Sequence, residues 1–160
     1  MCIRDRFNED KKMLKQNWIS STYTDLNLSI DSPDALYRSP DSTINKLTFI
    51  SSNKNLEINL ITKPIDENSD LSNELINDFK ERNFINVITK NEDFQTLDGD
   101  KGVKIFGSFD DQNLNRKKDY STILFVVNKL SIKLEIIFER GNANLQKIVD
   151  RVINSLKFNK

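Results

Sequence analysis

The clearest pattern in the chain is the spacing of apolar residues near its C-terminal end. Residues 123–127 and 132–138 are two apolar runs separated by a short polar turn, and they predict neighbouring strands. Apolar residues then recur at helical spacing and form one stripe: Leu145, Ile148, Val149, Val152, Ile153 and Leu156. The pattern predicts a helix that lies across an antiparallel sheet and stops before Phe158.

Shorter runs with alternating apolar and polar residues precede this segment. Residues 26–30 alternate in this way and predict a half-buried strand that ends at Pro33. Residues 44–51 and 56–62 are two such runs joined by four polar residues, which is typical of a β-hairpin. Pro64 should end the second of these strands, because proline cannot donate to a strand ladder.

The middle of the chain predicts one helix followed by a meander of strands. Apolar residues at helical spacing favour a helix at 71–83. Strand segments follow at 85–89, 94–97 and 103–109, and the polar residues 110–119 predict a longer connection. Helices separated by hairpin-linked strands indicate the α+β class.

Composition narrows the possible functions. The chain has 160 residues, 37% of them hydrophobic, which suits one domain with a core. It has 24 basic and 24 acidic residues, so charge favours neither nucleic acid nor an acidic substrate. Histidine is absent and Cys2 is the only cysteine, which removes the commonest general base, the commonest metal ligand and any disulfide within the chain. No apolar run is long enough to span a bilayer.

The first residues stand apart from the rest. Met1 to Arg6 resemble translated sequencing-adapter read-through at the edge of a metagenomic fragment, in which case an export signal upstream would be missing. The alternative is an ordinary charged tail. We therefore expect residues 1–17 to be a tail or short helix, in part artefactual, and residues 18–160 to form one domain.

Several segments together match the pattern of a known family: the strand at 26–30 followed by Pro33, the helix at 71–83, the turn Leu97, Asp98 and Gly99 before a strand ending near Gly107, and the closing residues 153–158. Over Trp18 to Phe158 this order resembles the PsbP-like family, including its DcrB-like branch. The resemblance implies an α/β/α sandwich, an antiparallel β-sheet flanked by α-helices on both faces. It also implies a role without catalysis, since bacterial members are often exported lipoproteins and others are accessory or binding subunits.

Candidate metal sites are weak. The acidic residues at 66–70 have the odd-position spacing that opens a calcium loop, but Leu71 replaces the glycine of the sharp turn and Asn77 replaces the bidentate glutamate. We interpret this segment as a solvated loop in which Ser69 or Asp70 caps the helix. Asp98 and Asp100, on either side of a glycine, are typical of a hairpin turn.

The densest basic cluster is a possible interaction loop: Arg116, Lys117 and Lys118. Acidic neighbours make a solvated loop the alternative, and residues 33–42 are a second loop that could contact a partner. Four aromatic residues could line a ligand pocket, although core positions are the commoner use: Trp18, Tyr23, Tyr37 and Tyr120. No residue is predicted to be catalytic, to bind a cofactor or to bind a metal.

The sequence therefore predicts a non-catalytic binding or accessory domain. It would be periplasmic or secreted if a signal is missing upstream, possibly of lipoprotein type, and cytoplasmic otherwise. The expected partner is another protein or an envelope component rather than nucleic acid. The alternative is a cytosolic chaperone-like or transport-factor-like module that binds protein. A hydrolase or metal-dependent enzyme is disfavoured by the missing histidine and cysteine clusters.

Overall fold

Ten strands and three helices make up the part of the chain that the computed structural model describes, residues 3–65 and 71–159. The helices are α1 Ile3–Lys15, α2 Leu71–Glu81 and α3 Ala143–Asn154, and Thr24–Leu26 form a 3₁₀ turn. The strands are β1 Trp18–Tyr23, β2 Leu28–Pro33, β3 Tyr37–Arg38, β4 Lys46–Ile50, β5 Leu56–Pro64, β6 Phe84–Gln95, β7 Lys101–Asp111, β8 Arg116–Val127, β9 Leu130–Glu139 and β10 Lys157–Phe158.

The strands form two antiparallel sheets. The large sheet has seven strands in the order β3-β4-β5-β9-β8-β7-β6, and the small sheet has the order β1-β2-β10. Most neighbours in the large sheet are also neighbours in sequence, which is the expected result of hairpin connections. The chain is therefore an α+β protein with antiparallel sheets, as predicted.

Two tight turns set the register of the longest hairpins. Asn128 and Lys129 join β8 to β9, and both have positive φ, 50° and 62°. Asparagine tolerates this conformation. Two successive residues with positive φ give the primed turn whose twist matches antiparallel strands. Gly99 ends the turn between β6 and β7 with a φ of 95°, and its N–H donates to the carbonyl of Thr96 at 3.0 Å. The predicted hairpins are confirmed.

The largest apolar cluster lies between the large sheet and α3, and we call it the α3 cluster. The predicted helical stripe is confirmed: all six of its members are buried in this cluster. They pack on alternate residues of β9, namely Ile132, Leu134, Ile136 and Phe138. The helix begins at Ala143 because Asn142 caps it, its side chain accepting a hydrogen bond from the N–H of Leu145 at 3.1 Å.

A second cluster gathers around α2, and we call it the α2 cluster. Leu75 and Phe79 of α2 are buried in it, together with Ile137 from β9. Aromatic rings fill its centre, where Phe84 and Phe109 stack with their centroids 4.0 Å apart. The two clusters take alternate residues of β9, because successive side chains of a strand point to opposite sides.

Several segments differ from the predicted elements. The connection predicted at 110–119 is wrong, because β7 continues to Asp111 and β8 starts at Arg116, which leaves a turn of four residues. The loop predicted at 33–42 contains the short strand β3. The closing residues Lys157 and Phe158 pair with β2 as β10, which couples the end of the chain to the small sheet.

The N-terminal segment forms a helix that packs on the core. The helix alternative for residues 7–17 is confirmed by α1, whose Met13 is buried in the α3 cluster. The loop at 66–70, with the predicted caps Ser69 and Asp70, lies outside the described residues.

Candidate functional site

The predicted basic cluster opens β8 and does not lie in a loop. Arg116 donates from Nη1 to the side-chain oxygen of Asn55 at 3.2 Å. Lys118 is 3% exposed, and its Nζ donates to the carbonyl of Lys54 at 3.1 Å. Lys117, between them, is exposed. Burial lowers the pKa of Lys118, and the neighbouring charge of Arg116 lowers it further.

These contacts divide the cluster by role. Arg116 and Lys118 hold the β4–β5 turn against β8, so their donors are used within the fold. Lys117 is the member that faces solvent. Whether this end of the sheet contacts a partner stays a prediction.

A buried polar row crosses the large sheet on the side of the α2 cluster. Thr48, Asn59, Glu135 and Thr122 occupy paired positions on β4, β5, β9 and β8. Thr48 donates from Oγ1 to Asn59 Oδ1 at 2.7 Å, and Asn59 donates from Nδ2 to Glu135 Oε1 at 3.0 Å. Glu135 is fully buried. A carboxylate therefore lies inside the sheet, where a charge needs a partner.

Arg82, which follows α2, neutralises the buried carboxylate. Its Nη1 donates to Glu135 Oε1 at 2.8 Å and to Asp78 Oδ2 at 3.1 Å. Its Nη2 lies 3.7 Å from Glu57 Oε2, and its guanidinium lies over the ring of Phe84, 4.8 Å from the centroid. One cation thus joins the end of α2 to two strands of the sheet.

The two glutamates that contact Arg82 respond to it differently. Burial alone would raise the pKa of Glu135, but the charges of Arg82 and Lys133 outweigh burial and hold this pKa below its ordinary value. Burial raises the pKa of Glu57, and Arg82 offsets this only in part. Glu135 is therefore ionised near neutral pH, paired and closed off from solvent, so it is unsuited to act as a general acid.

Two atoms of this row remain unpartnered within the described residues. Glu135 Oε2 and Thr122 Oγ1 are both buried without a hydrogen bond. Lys133 Nζ lies 3.8 Å from Glu135 Oε2. The sequence carried one signal for this row, a glutamate that with Lys133 interrupts the mainly apolar run at 132–138.

A second buried carboxylate docks α1. Asp10 is fully buried, and its carboxylate accepts hydrogen bonds from three side-chain amides. The donors are Nδ2 of Asn53 at 3.0 Å, of Asn55 at 3.2 Å and of Asn142 at 2.7 Å. Asparagines are so frequent in this chain that no sequence signal marked these three. Their contacts tie α1 to the β4–β5 turn and to the start of α3.

The four aromatic candidates have separate positions. Tyr120 belongs to the core, where its hydroxyl donates to the carbonyl of Ile88 at 3.1 Å. Trp18 is partly buried beneath the guanidinium of Arg151, which lies 3.9 Å from the ring centroid. Tyr37 is exposed on the edge strand β3, and Tyr23 lines a cleft. Of the four, Tyr23 therefore fits the pocket alternative.

One end of the large sheet carries four exposed apolar side chains, Ile44, Leu97, Val126 and Val127, which we call the apolar end. Ile44, between β3 and β4, is 89% exposed, and Leu97, between β6 and β7, is 86% exposed. Val126 and Val127 end β8. Because neighbouring strands are antiparallel, these links and the β8–β9 turn all lie at the same end of the sheet.

Two adjacent cavities open at the apolar end. The larger, about 590 Å³, lies between the end of β1 and the β3–β4 link, and we call it the Leu26 cleft. The smaller, about 300 Å³, is lined by Val126, Val127 and Phe158. Leu26, in the 3₁₀ turn, lines both cavities. Sequence analysis named Tyr23 and the loop at 33–42 separately but did not join them into one site, because the wall of the cleft comes from segments that are distant along the chain.

The described residues show neither a metal centre nor a membrane helix. Over residues 3–65 and 71–159, no three His, Cys, Asp or Glu side chains are grouped as metal ligands would be. In the same ranges no helix is long and apolar enough to cross a membrane. At the predicted turn, the hydroxyl of Thr96 donates to Asp100 Oδ2 at 3.2 Å.

Comparison with solved structures identifies the fold. The Saccharomyces cerevisiae Ran-binding protein Mog1p superposes with a TM-score of 0.58 at 10% identity, over 89% of this chain and 95% of that one. The cyanobacterial PsbP protein CyanoP from Synechocystis superposes with a TM-score of 0.55 at 11% identity, over 88% of this chain and 92% of that one. The predicted PsbP-like fold is therefore confirmed, and at such low identity the likeness shows the fold alone.

Sequence comparisons add no further assignment. No profile of a known protein family matches the chain, and no curated protein matches it. The assignment to the DcrB-like branch stays a prediction.

Proposed function

We propose that the protein is a non-catalytic module that binds another protein through its apolar end. The observation that carries the proposal is the exposure of Ile44, Leu97, Val126 and Val127 at one end of the sheet, where all of them except Leu97 line one of two cavities. Grouped exposed apolar side chains with polar surroundings are typical of interaction sites, because their burial against a partner is favourable. Mog1p, which has a related fold, is described as a Ran-binding protein, and this supports a protein partner.

The absence of catalysis is part of the proposal. The most deeply buried charged groups are Glu135 and Asp10, and both carboxylates accept hydrogen bonds from neighbouring side chains. Groups held in this way stabilise the fold and have no open position for a substrate. An enzyme would instead need a titratable group that reaches a substrate in a cavity.

We also propose the α/β/α arrangement implied by the PsbP-like resemblance. Its support is the alternation of β9, whose residues divide between the α3 cluster and the α2 cluster. The helices would then cover opposite faces of the large sheet, leaving its ends free for contacts.

Two forms of this function remain, and they differ in compartment. The first is an exported or periplasmic accessory domain, which the PsbP-like fold supports; its partner would be a protein or another envelope component. The second is a cytosolic transport-factor-like module, which the fold shared with Mog1p supports. Recovery of the upstream gene sequence separates them: a signal peptide with a lipid-attachment cysteine supports the first form, and a polar start in frame supports the second.

Affinity capture with matched variants tests the binding surface. The bait is the full chain, used in extract of the source organism, and the test variant is Leu97→Ser with Val126→Thr. The matched control is Leu114→Ser, which changes an exposed leucine in the β7–β8 turn at the opposite end. We expect the test variant to lose a specifically captured protein and the control to retain it. Retention of every captured protein by both variants would contradict the proposed surface.

A further inference from the structure

The Leu26 cleft contains charged and polar groups that the fold does not use. Arg38 at the end of β3 and Asp25 in the 3₁₀ turn both line it. Within the described residues neither side chain has an ion pair or a hydrogen bond, whereas Arg82, Arg116 and Arg140 are each bound to oxygen atoms of the protein. Arg38 is therefore a guanidinium whose donors are available to a ligand.

Tyr23 provides a second available donor beside Arg38. Its side chain is half-buried at the end of β1, and its hydroxyl has no hydrogen-bond partner among the described residues. Burial raises the pKa of Tyr23, although the charge of Arg38 acts in the opposite direction. The phenol thus stays protonated at neutral pH and can donate.

A cation and a hydroxyl that both donate select an anionic acceptor. The guanidinium has a planar fork of N–H groups that matches the two oxygens of a carboxylate. Apart from Asp25, the rest of the wall is apolar or uncharged, and it includes Leu26, Leu47 and Ile44. Apolar groups beside a charged pair exclude water and strengthen its interaction.

We propose that the Leu26 cleft binds a carboxylate of an extended protein segment, with Arg38 and Tyr23 as the donors. The inference rests on the proposed function, because it names the partner chemistry at the apolar end. Both strands that end in the cleft, β1 and β3, are edge strands, so each has backbone groups that an added strand can pair with. The cleft volume of about 590 Å³ is adequate for a few side chains.

Asp25 restricts where the carboxylate can bind. Its own carboxylate lines the same cleft, so an acidic group placed beside it would be repelled. The segment therefore has its carboxylate next to Arg38 and a neutral or basic group next to Asp25. The carboxylate can come from an acidic side chain or from a chain terminus, since both present the same two oxygens.

Three peptides test the inference and separate these two sources. They are the acetylated and amidated peptide Leu-Glu-Leu-Val, the same peptide with Gln in place of Glu, and the Gln peptide with a free C-terminal carboxylate. Each is titrated into the ¹⁵N-labelled full chain, and ¹H–¹⁵N NMR shifts are measured. We expect one or both carboxylate peptides to shift signals of Tyr23, Arg38 and Ile44, and to bind about tenfold tighter than the neutral peptide.

Variants assign the effect to the two donors. Arg38→Gln should remove the tenfold preference, and Tyr23→Phe should weaken carboxylate binding about threefold, as expected for one hydrogen bond. Asp25→Asn should leave the binding of the carboxylate peptides unchanged or strengthen it. Lys117→Gln is the matched control, an exposed cation at the opposite end of the sheet, and it should have no effect. The native NMR dispersion of each variant verifies folding.

The outcomes separate this inference from the proposed function. Equal binding of the neutral and carboxylate peptides, unshifted cleft signals, or an unchanged preference in Arg38→Gln would each overturn the inference. If these results occur while the Leu97 and Val126 variant still loses its captured protein, the apolar end binds protein by other contacts. If both experiments fail, the proposed function fails as well.

Discussion

The two sides of β9 are buried in different ways, one by apolar contacts and the other partly by a charge pair. On the side of the α3 cluster, Ile132, Leu134, Ile136 and Phe138 are apolar and meet the apolar stripe of α3. On the side of the α2 cluster, Lys133 and Glu135 precede Ile137, and Arg82 is needed to neutralise the carboxylate. An apolar contact tolerates many neighbours, whereas a buried charge requires one specific partner.

This difference has a consequence for how each helix is held. The position of α3 depends on apolar area and shape, which act without direction. The end of α2 is fixed by directional contacts from Arg82 to Asp78, Glu57 and Glu135. Removing one partner of such a buried pair leaves an uncompensated charge. This lowers the free energy of unfolding even where the intact pair adds little stability.

The largest effect is expected on the apolar side. Val149 of α3 is fully buried, so Val149→Asp would place a carboxylate without a partner in the α3 cluster. The cost should exceed about 4 kcal/mol and unfold the protein, as measured by circular dichroism and thermal melting. Lys147→Asp, at an exposed position of the same helix, is the control and should melt near the wild type. A Val149→Asp variant that melts within a few degrees of the wild type would contradict the placement of α3.

The second effect tests the charged side. Glu135→Ala removes the fully buried carboxylate and leaves Arg82 without its closest partner, which should destabilise the protein by about 3–5 kcal/mol in urea unfolding. Glu92→Ala removes an exposed glutamate that lies 3.6 Å from Lys104, and it should cost less than about 1 kcal/mol. The double variant Arg82→Leu and Glu135→Leu should recover most of the loss. A loss as small for Glu135→Ala as for Glu92→Ala would disprove a buried ion pair.

The smallest effect concerns pH. The folded-state pKa of Glu135 lies below the ordinary value of 4.5, so its stabilising contribution is present above pH 4.5 and is lost as pH falls through the folded-state pKa. The folded-state pKa of Glu57 lies above 4.5, so its contribution is present below pH 4.5 and is lost as pH rises towards the folded-state pKa.

Glutamine substitutions at these two positions should therefore have opposite pH dependences. The destabilisation caused by Glu135→Gln should shrink as pH falls below 4.5, because the wild type then loses the same contribution. The stability of Glu57→Gln relative to the wild type should rise as pH increases through 4.5. Urea unfolding on both sides of pH 4.5 measures both trends, and equal slopes for the two variants would refute the assigned pKa directions.

Much of the fold could be predicted from the sequence because it is encoded locally. The stripe of α3, the hairpin that ends at Pro64 and the run at 132–138 each identify an element through the period of their apolar residues. The connection predicted at 110–119 failed because polar residues on strand ends look like a loop when the partner strand is unknown. The pairing of Lys157 and Phe158 with β2 was not predicted for the same reason, since it depends on a strand that is distant along the chain.

The candidate site could not be predicted in this way. The sequence marked the basic residues that open β8, but the structure uses two of them to hold its own backbone and side chains. Tyr23 and the loop at 33–42, which contains Arg38, were separate candidates in the sequence, and they are brought together only when the small sheet packs beside β3 and β4. Periodic patterns of apolar residues identify strands and helices, whereas a cleft between two sheets has no periodic signature in the sequence.

The sequence by itself determined most of the strands and helices, which side of α3 is buried, and that the chain has no histidine and one cysteine. Only the tertiary structure decided that Glu135 and Asp10 are buried, that Arg116 and Lys118 are used internally, and that Arg38 is left without a partner among the described residues. The physical reason is the distance over which each effect acts. Periodicity and backbone preference act between neighbours in the chain, whereas the partner of a charge is set by distance in space.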